Sequence, residues 1–148
     1  MSDKYFADTN VLVYAFDSKE PAKQQIALNL LDGFGSTGNL TLSTQVLQEF
    51  FVAVTRKLTP PLSAETAYEL VENLVCYPLV QIDFSLILSA IRRHQQINVS
   101  FWDALIIEAA LLSECTTLLS EDMQDGQLIA NKLTIRNPFD SGFPLSFK

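Results

Sequence analysis

The chain has 148 residues, enough for one domain with a buried core. Hydrophobic residues make up 48 %, with only five glycines and six prolines, which excludes a disordered or low-complexity chain. Seventeen acids against ten Lys and Arg give a net charge of −7, a balance that argues against nucleic acid unless bound cations cancel several of the acids, and that would also suit a basic partner chain.

The amino terminus, Met-Ser-Asp-Lys-Tyr, lacks the basic region and apolar run of a signal peptide. The apolar stretch Ala104–Leu112 is broken by Glu108 and falls far short of the roughly 20 residues a membrane span requires. A cytoplasmic protein with no membrane association is expected. Cys76 and Cys115 lie in apolar surroundings without metal or redox spacing and read as buried free thiols.

In chain order, Lys4–Ala7 reads as a strand, Asp8-Thr9-Asn10 as a turn, and the following Val11–Val13 as part of a helix. Pro21 opens a helix to about Leu31, and residues 32–39 (DGFGSTGN) read as a loop. Leu40–Leu42 is a second strand, after which Ser43 or Thr44 caps a helix from Gln45 to about Leu58. Thr59-Pro60-Pro61 ends it; Ser63 caps the next helix, to about Cys76, and Pro78 stops that one. Leu79–Ile82 is a third strand, and Asp83 caps a helix to Gln96. Ser100 caps Phe101–Leu112, whose almost uniformly apolar sequence predicts a central helix. Thr117–Leu119 is a fourth strand and Leu133–Ile135 a fifth. Strands alternating with helices predict a parallel sheet covered on both faces, with a ligand site beyond the carboxyl ends of the strands.

Four acids fall near that edge: Asp8 after the first strand, Glu49 in the helix after the second, Asp103 at the start of the central helix, and Asp122 after the fourth strand. Each alone has a plain explanation. Asp8 is a turn acid, Asp103 answers the Ser100 cap, Asp122 sits in a surface turn with Glu121 and Asp125, and Glu49 could snorkel from the edge of a face formed by Val46, Phe50, Ala53 and Val54. Spacing does not decide which of Glu121, Asp122 and Asp125 faces a site. Two carboxylates about 4 Å apart at an effective dielectric of ~20 repel by roughly 4 kcal/mol, so a shared site calls for a divalent cation.

Asp8-Thr-Asn-Val, Glu49 in a helix after a Ser-Thr pair, Phe-Trp-Asp103-Ala, and Leu-Ser-Glu-Asp122 with a trailing Asn137-Pro-Phe139 resemble the PIN domain, and within it the VapC-type toxins of toxin–antitoxin pairs. The resemblance extends over nearly the whole chain and implies a single domain, 1–148, with a three-layer α/β/α fold and a central parallel sheet. It implies a Mg²⁺- or Mn²⁺-dependent ribonuclease with Asp8, Glu49, Asp103 and Asp122 as the catalytic and metal-binding acids. Thr9, Asn10 and Ser120 would support them by hydrogen bonds, with Asp125 as a further acid. It also implies an RNA substrate, a cognate antitoxin and a homodimer. Hard oxygen ligands suit Mg²⁺ or Mn²⁺ over zinc, and in-line hydrolysis would leave a 5′-phosphate and a 3′-hydroxyl.

The only histidine, His94, reads as a surface residue at a helix end. Arg56, about 10.5 Å along its helix from Glu49, reads as a cation completing that helix's carboxyl end, with RNA phosphate as its other use. Arg92 and Arg93 read as a solvated face. No Gly-Lys-Ser/Thr loop or His/Cys cluster is present. The alternatives are a non-catalytic PIN scaffold and a phosphoacceptor receiver domain. The receiver needs a lysine after the last strand, where Arg136-Asn137-Pro138 stands.

Overall fold

Short, largely apolar strands build a six-stranded sheet, and the first three are each followed by a helix with a side-chain cap. The computed structural model describes residues 3–140 and 142–143. In order these form β1 (Tyr5–Ala7), α1 (Thr9–Tyr14), α2 (Pro21–Thr37), β2 (Leu40–Ser43), α3 (Thr44–Arg56), α4 (Ala64–Leu74), β3 (Leu79–Val80), α5 (Phe84–Gln96), α6 (Phe101–Leu112), β4 (Thr117–Leu119), β5 (Leu128–Ile129) and β6 (Leu133–Arg136). The strand order is β3-β2-β1-β4-β6-β5. All pairings are parallel except β5 with β6. Right-handed crossovers send the helices between β1 and β3 to one face and those between β3 and β4 to the other. Accordingly, α3 packs on α1 and α4, while α5 packs on α6. The three-layer α/β/α arrangement expected from the sequence is present.

Side-chain caps set most helix starts. The Ser43, Ser63 and Ser100 hydroxyls accept from Val46, Thr66 and Asp103 N–H, and the Asp83 carboxylate accepts from Leu86 N–H. Each such cap contributes about 1 kcal/mol. The core runs through Phe6, Leu12, Leu42, Phe50, Ile106, Ile107, Leu118 and Ile135, all at most 2 % exposed. The central placement of α6 explains its uniformly apolar sequence: Ala104 to Ile107, Ala109 and Ala110 are all buried.

Several expectations change. The expected loop at 32–39 is mostly helix, because α2 continues to Thr37 and ends where Gly38 adopts φ +72°. Gly35 lies inside α2 because Tyr77 packs there: a Cβ would stand 3.2 Å from the Tyr77 hydroxyl, which donates to Leu31 O at 3.1 Å. The expected turn at Asp8-Thr9-Asn10 is the start of α1 itself, with Asp8 as its cap. The β5 strand had no expectation; it joins β6 through Ala130 and Asn131, both at positive φ, with Lys132 N–H bonded to Ile129 O at 3.0 Å. Cys115 is buried as expected, but Cys76 is exposed, in the turn that follows α4. Arg93 is not simply solvated: its Nε lies 3.3 Å from Glu108 Oε1, an ion pair joining α5 to the middle of α6. His94 Nδ1 donates to Val99 O at 2.6 Å, tying down the turn between those helices.

Candidate active site

The strand order reverses at β1, which has β2 on one side and β4 on the other; ligands of open parallel sheets bind beyond such a point. Asp8 stands there, 7 % exposed. Its Oδ1 accepts from Thr9 N–H at 2.8 Å, and its Oδ2 from the Ser120 hydroxyl at 2.8 Å and Asn10 Nδ2 at 3.3 Å. Burial pushes its pKa up to about 6, with smaller contributions from Asp103 and Glu49, against the lowering effect of the Ser120 and Thr9 bonds.

Glu49 projects from the second turn of α3 and is half-buried. Its Oε1 accepts from the Thr9 hydroxyl at 2.7 Å and its Oε2 from Gln45 Nε2 at 3.2 Å. Gln45 also donates to Trp102 O at 3.1 Å, which ties α3 to the start of α6. Asp103 sits in the first turn of α6, where its N–H donates to Ser100 Oγ at 3.0 Å. Burial first, then Asp122 and Glu49, raise its pKa. Asp122 is exposed, and its Oδ2 accepts from Asn10 Nδ2 at 3.1 Å. Ser120, fully buried, accepts from Asp122 N–H at 3.3 Å and Met123 N–H at 3.4 Å while donating to Asp8. The four acids expected from the sequence therefore line one cleft, and Thr9, Asn10 and Ser120 hold three of them, Asp8, Glu49 and Asp122. With Thr9 and Asn10 the acids line a cleft of about 690 Å³.

Asp125 does not join them. Its Oδ1 accepts from Asn137 N–H at 2.9 Å and faces Arg136 Nε at 3.5 Å, bracing the β6 end of the sheet. Glu121 does line the cleft, but its charge is spent. Its Oε1 accepts from the Tyr14 hydroxyl and its Oε2 from Lys23 Nζ, both at 2.6 Å. Burial raises its pKa, but the Lys23 and Tyr14 bonds outweigh that and leave it lowered. Asn10 Oδ1 accepts from Glu121 N–H at 3.1 Å, so one amide side chain spans the turn that carries Asp122. Sequence reasoning missed Tyr14, Lys23 and Lys57, the last of which also lines the cleft. Nothing in their local sequence marks them.

The family model described as the PIN domain matches residues 5–124. The chain belongs to the PIN-domain family. No curated protein matches its sequence. Among solved structures, the PIN fold here is similar to a toxin–antitoxin complex from Klebsiella pneumoniae (TM-score 0.66, 17 % identity, 91 % of this chain and 98 % of that one). It is similar to VapBC2 from Rickettsia felis bound to a DNA fragment from its promoter (TM-score 0.62, 20 % identity, 90 % and 97 %). It is also similar to Mycobacterium tuberculosis VapC20, described as a Sarcin-Ricin loop cleaving toxin (TM-score 0.54, 13 % identity, 78 % and 87 %). These likenesses are of fold.

PIN-domain nucleases use a divalent metal ion, and the residues present can be tested against one. Among the described residues no three His, Cys, Asp or Glu side chains close on one point; the Asn10 amide spans Asp8 and Asp122 instead. The donor chemistry nevertheless fits. All four acids offer hard oxygens, burial and, to a lesser extent, the neighbouring acids raise the pKa of Asp8 and Asp103, and no lysine or arginine pairs with any of the four among the described ion pairs. Asp122, being exposed, has the freedom to turn its carboxylate.

Proposed function

We propose that this PIN-domain protein is a Mg²⁺- or Mn²⁺-dependent endoribonuclease and the toxin of a VapBC-type toxin–antitoxin pair. The observation that carries the reading is the convergence of Asp8, Glu49, Asp103 and Asp122, from four separate segments of the chain, into one cleft where Asp8 is buried and takes part in none of the described ion pairs. Asp8, Asp103, Asp122 and Glu49 would hold the ion. When bound, it lowers the pKa of a water, orients the scissile phosphate and offsets developing charge.

The remaining work falls to the chain itself. The Thr9 hydroxyl and the Gln45 amide fix both oxygens of Glu49, which holds that carboxylate in one orientation as an acceptor for a water proton. The Ser120 hydroxyl and the Thr9 N–H fix Asp8. The amino end of α6 favours the anionic form of Asp103. No histidine or cysteine is among the described residues lining the cleft, in keeping with hydrolysis by water that leaves a 5′-phosphate and a 3′-hydroxyl.

The toxin reading is supported by neighbours that are toxin–antitoxin or VapBC complexes, in each of which this chain covers 97–99 % of the one chain it matches. An apolar groove between α3 and α4, lined by Leu47, Phe51, Val52, Tyr68 and Val71, offers the sort of surface that a protein partner covers; antitoxin and a second copy of the chain are the partners proposed. The test is cleavage of single-stranded RNA with Mg²⁺ or Mn²⁺, abolished by EDTA and by Asp8→Asn. Cleavage that survives both treatments would remove this site from the reaction.

A further inference from the structure

An RNA strand entering the cleft meets six acids along its lining: Asp8, Asp17, Glu49, Asp103, Glu121 and Asp122. A bound cation answers the charge at the scissile phosphate and does nothing for the phosphates on either side. Of the two lysines near the cleft, Lys23 is taken by Glu121 at 2.6 Å and by the Tyr14 hydroxyl at 3.3 Å. Lys57 is different. Among the described residues lining the cleft it is the one that carries a positive charge, and it takes part in none of the described ion pairs.

Its position follows from helix geometry. Glu49, Ala53 and Lys57 are four residues apart on α3, so they form one ridge, and all three line the cleft. At 1.5 Å per residue Lys57 lies about 12 Å from Glu49 along the axis. The Lys57 N–H donates to Ala53 O at 2.7 Å as the helix cap, which anchors the backbone while the side chain stays exposed. Arg56, one residue earlier, does not line the cleft.

We propose that Lys57 forms a subsite for a backbone phosphate of single-stranded RNA flanking the scissile one, and so sets the direction in which the strand lies along α3. This rests on the nuclease reading. A lysine that only complements the carboxyl end of α3 would leave RNA affinity untouched, so the two roles separate cleanly.

The test is fluorescence anisotropy of a labelled single-stranded RNA on the full chain carrying Asp8→Asn to prevent cleavage, from 50 to 400 mM KCl. Each phosphate contact on a single strand contributes about 0.7 to the slope of log affinity against log salt. Lys57→Gln should therefore flatten the slope by about 0.7, weakening binding roughly fourfold at 0.15 M and roughly eightfold at 0.05 M. Lys57→Arg should keep the parent slope, as should Lys19→Gln, which alters an exposed lysine outside the cleft. An unchanged slope in Lys57→Gln, with a melting curve like the parent's, would overturn the subsite and leave the nuclease reading to its own EDTA test. Equal flattening in Lys19→Gln would also overturn it, since the effect would then be a general field. A protein that neither binds nor cleaves RNA in any form would fail the nuclease reading itself, and the subsite with it.

Discussion

Asp8 is held in conditions that make its charge costly, and removing that charge should stabilise the metal-free protein. Its pKa rises from 3.8 to about 6, chiefly through burial. At about 1.4 kcal/mol per pH unit, that difference corresponds to roughly 3 kcal/mol of destabilisation once the group is fully ionised. Between the two values the folded state binds more protons than the unfolded one, so stability falls as pH rises through about 6 and is recovered below about 4. Asp8→Asn keeps one carbonyl acceptor for Thr9 N–H or the Ser120 hydroxyl and forfeits about 1 kcal/mol of hydrogen bonding. A net gain of about 2 kcal/mol at pH 7.5 remains, or ~4–8 °C in Tm for a domain of this size. The assay is thermal melting of wild type and Asp8→Asn in EDTA from pH 4 to pH 8. The gain should vanish at about pH 4.5 and give way to a loss of roughly 0.5 kcal/mol at pH 4, where the forfeited hydrogen bond outweighs the remaining cost of the charge. Mn²⁺ at a hundred times its Kd stabilises wild type by about 2.7 kcal/mol and should close the gap. A variant less stable than wild type at pH 7.5 in EDTA, or a gap independent of pH, would refute the argument that burial makes this carboxylate costly.

Two more substitutions probe the groups that hold the acids. Thr9→Val removes the hydroxyl that bonds Glu49 Oε1 at 2.7 Å and should lower kcat about tenfold, ~1.4 kcal/mol in barrier, with little change in KM; Thr9→Ser should retain most of the activity. Lys23→Met strips the cation from Glu121 and should cost about 1 kcal/mol in urea unfolding, modest because the pair is partly exposed. Adding Glu121→Gln to that variant should return most of the loss, and strictly additive effects would show that Lys23 and Glu121 are not coupled.

The sequence carried the architecture because its signals are local. A serine or aspartate before an apolar run places a helix start, and α3, α4, α5 and α6 all begin where such a residue predicts. The acids were legible for the same reason: Asp8, Asp103 and Asp122 follow or open elements whose ends the sequence marks. Features that depend on tertiary neighbours were not legible. Gly35 looks like a loop residue until Tyr77 packs against α2. The turn at Ala130-Asn131 lacks the glycine that usually marks two positive φ angles, so β5 went unseen. The exposure of Cys76 depends on where α4 stops, and the pairing of Arg93 on how α5 packs against α6. The spending of Lys23 on Glu121, 98 residues away, leaves no trace in either local sequence, and only the lining of the cleft separates Lys57 from Arg56.

The bond from Ser120 to Asp8 joins residues 112 positions apart. During synthesis at about 5–20 residues per second, a nascent chain carries Asp8 for roughly 6–22 s before Ser120 has been made. Throughout that interval β1 lacks β4 as a neighbour, and Asp8 lacks the hydroxyl that fixes one of its oxygens. Chains cut short by a stalled ribosome before residue 120 would lack both that bond and Asp122, so the arrangement of acids around Asp8 exists only once translation has passed that point.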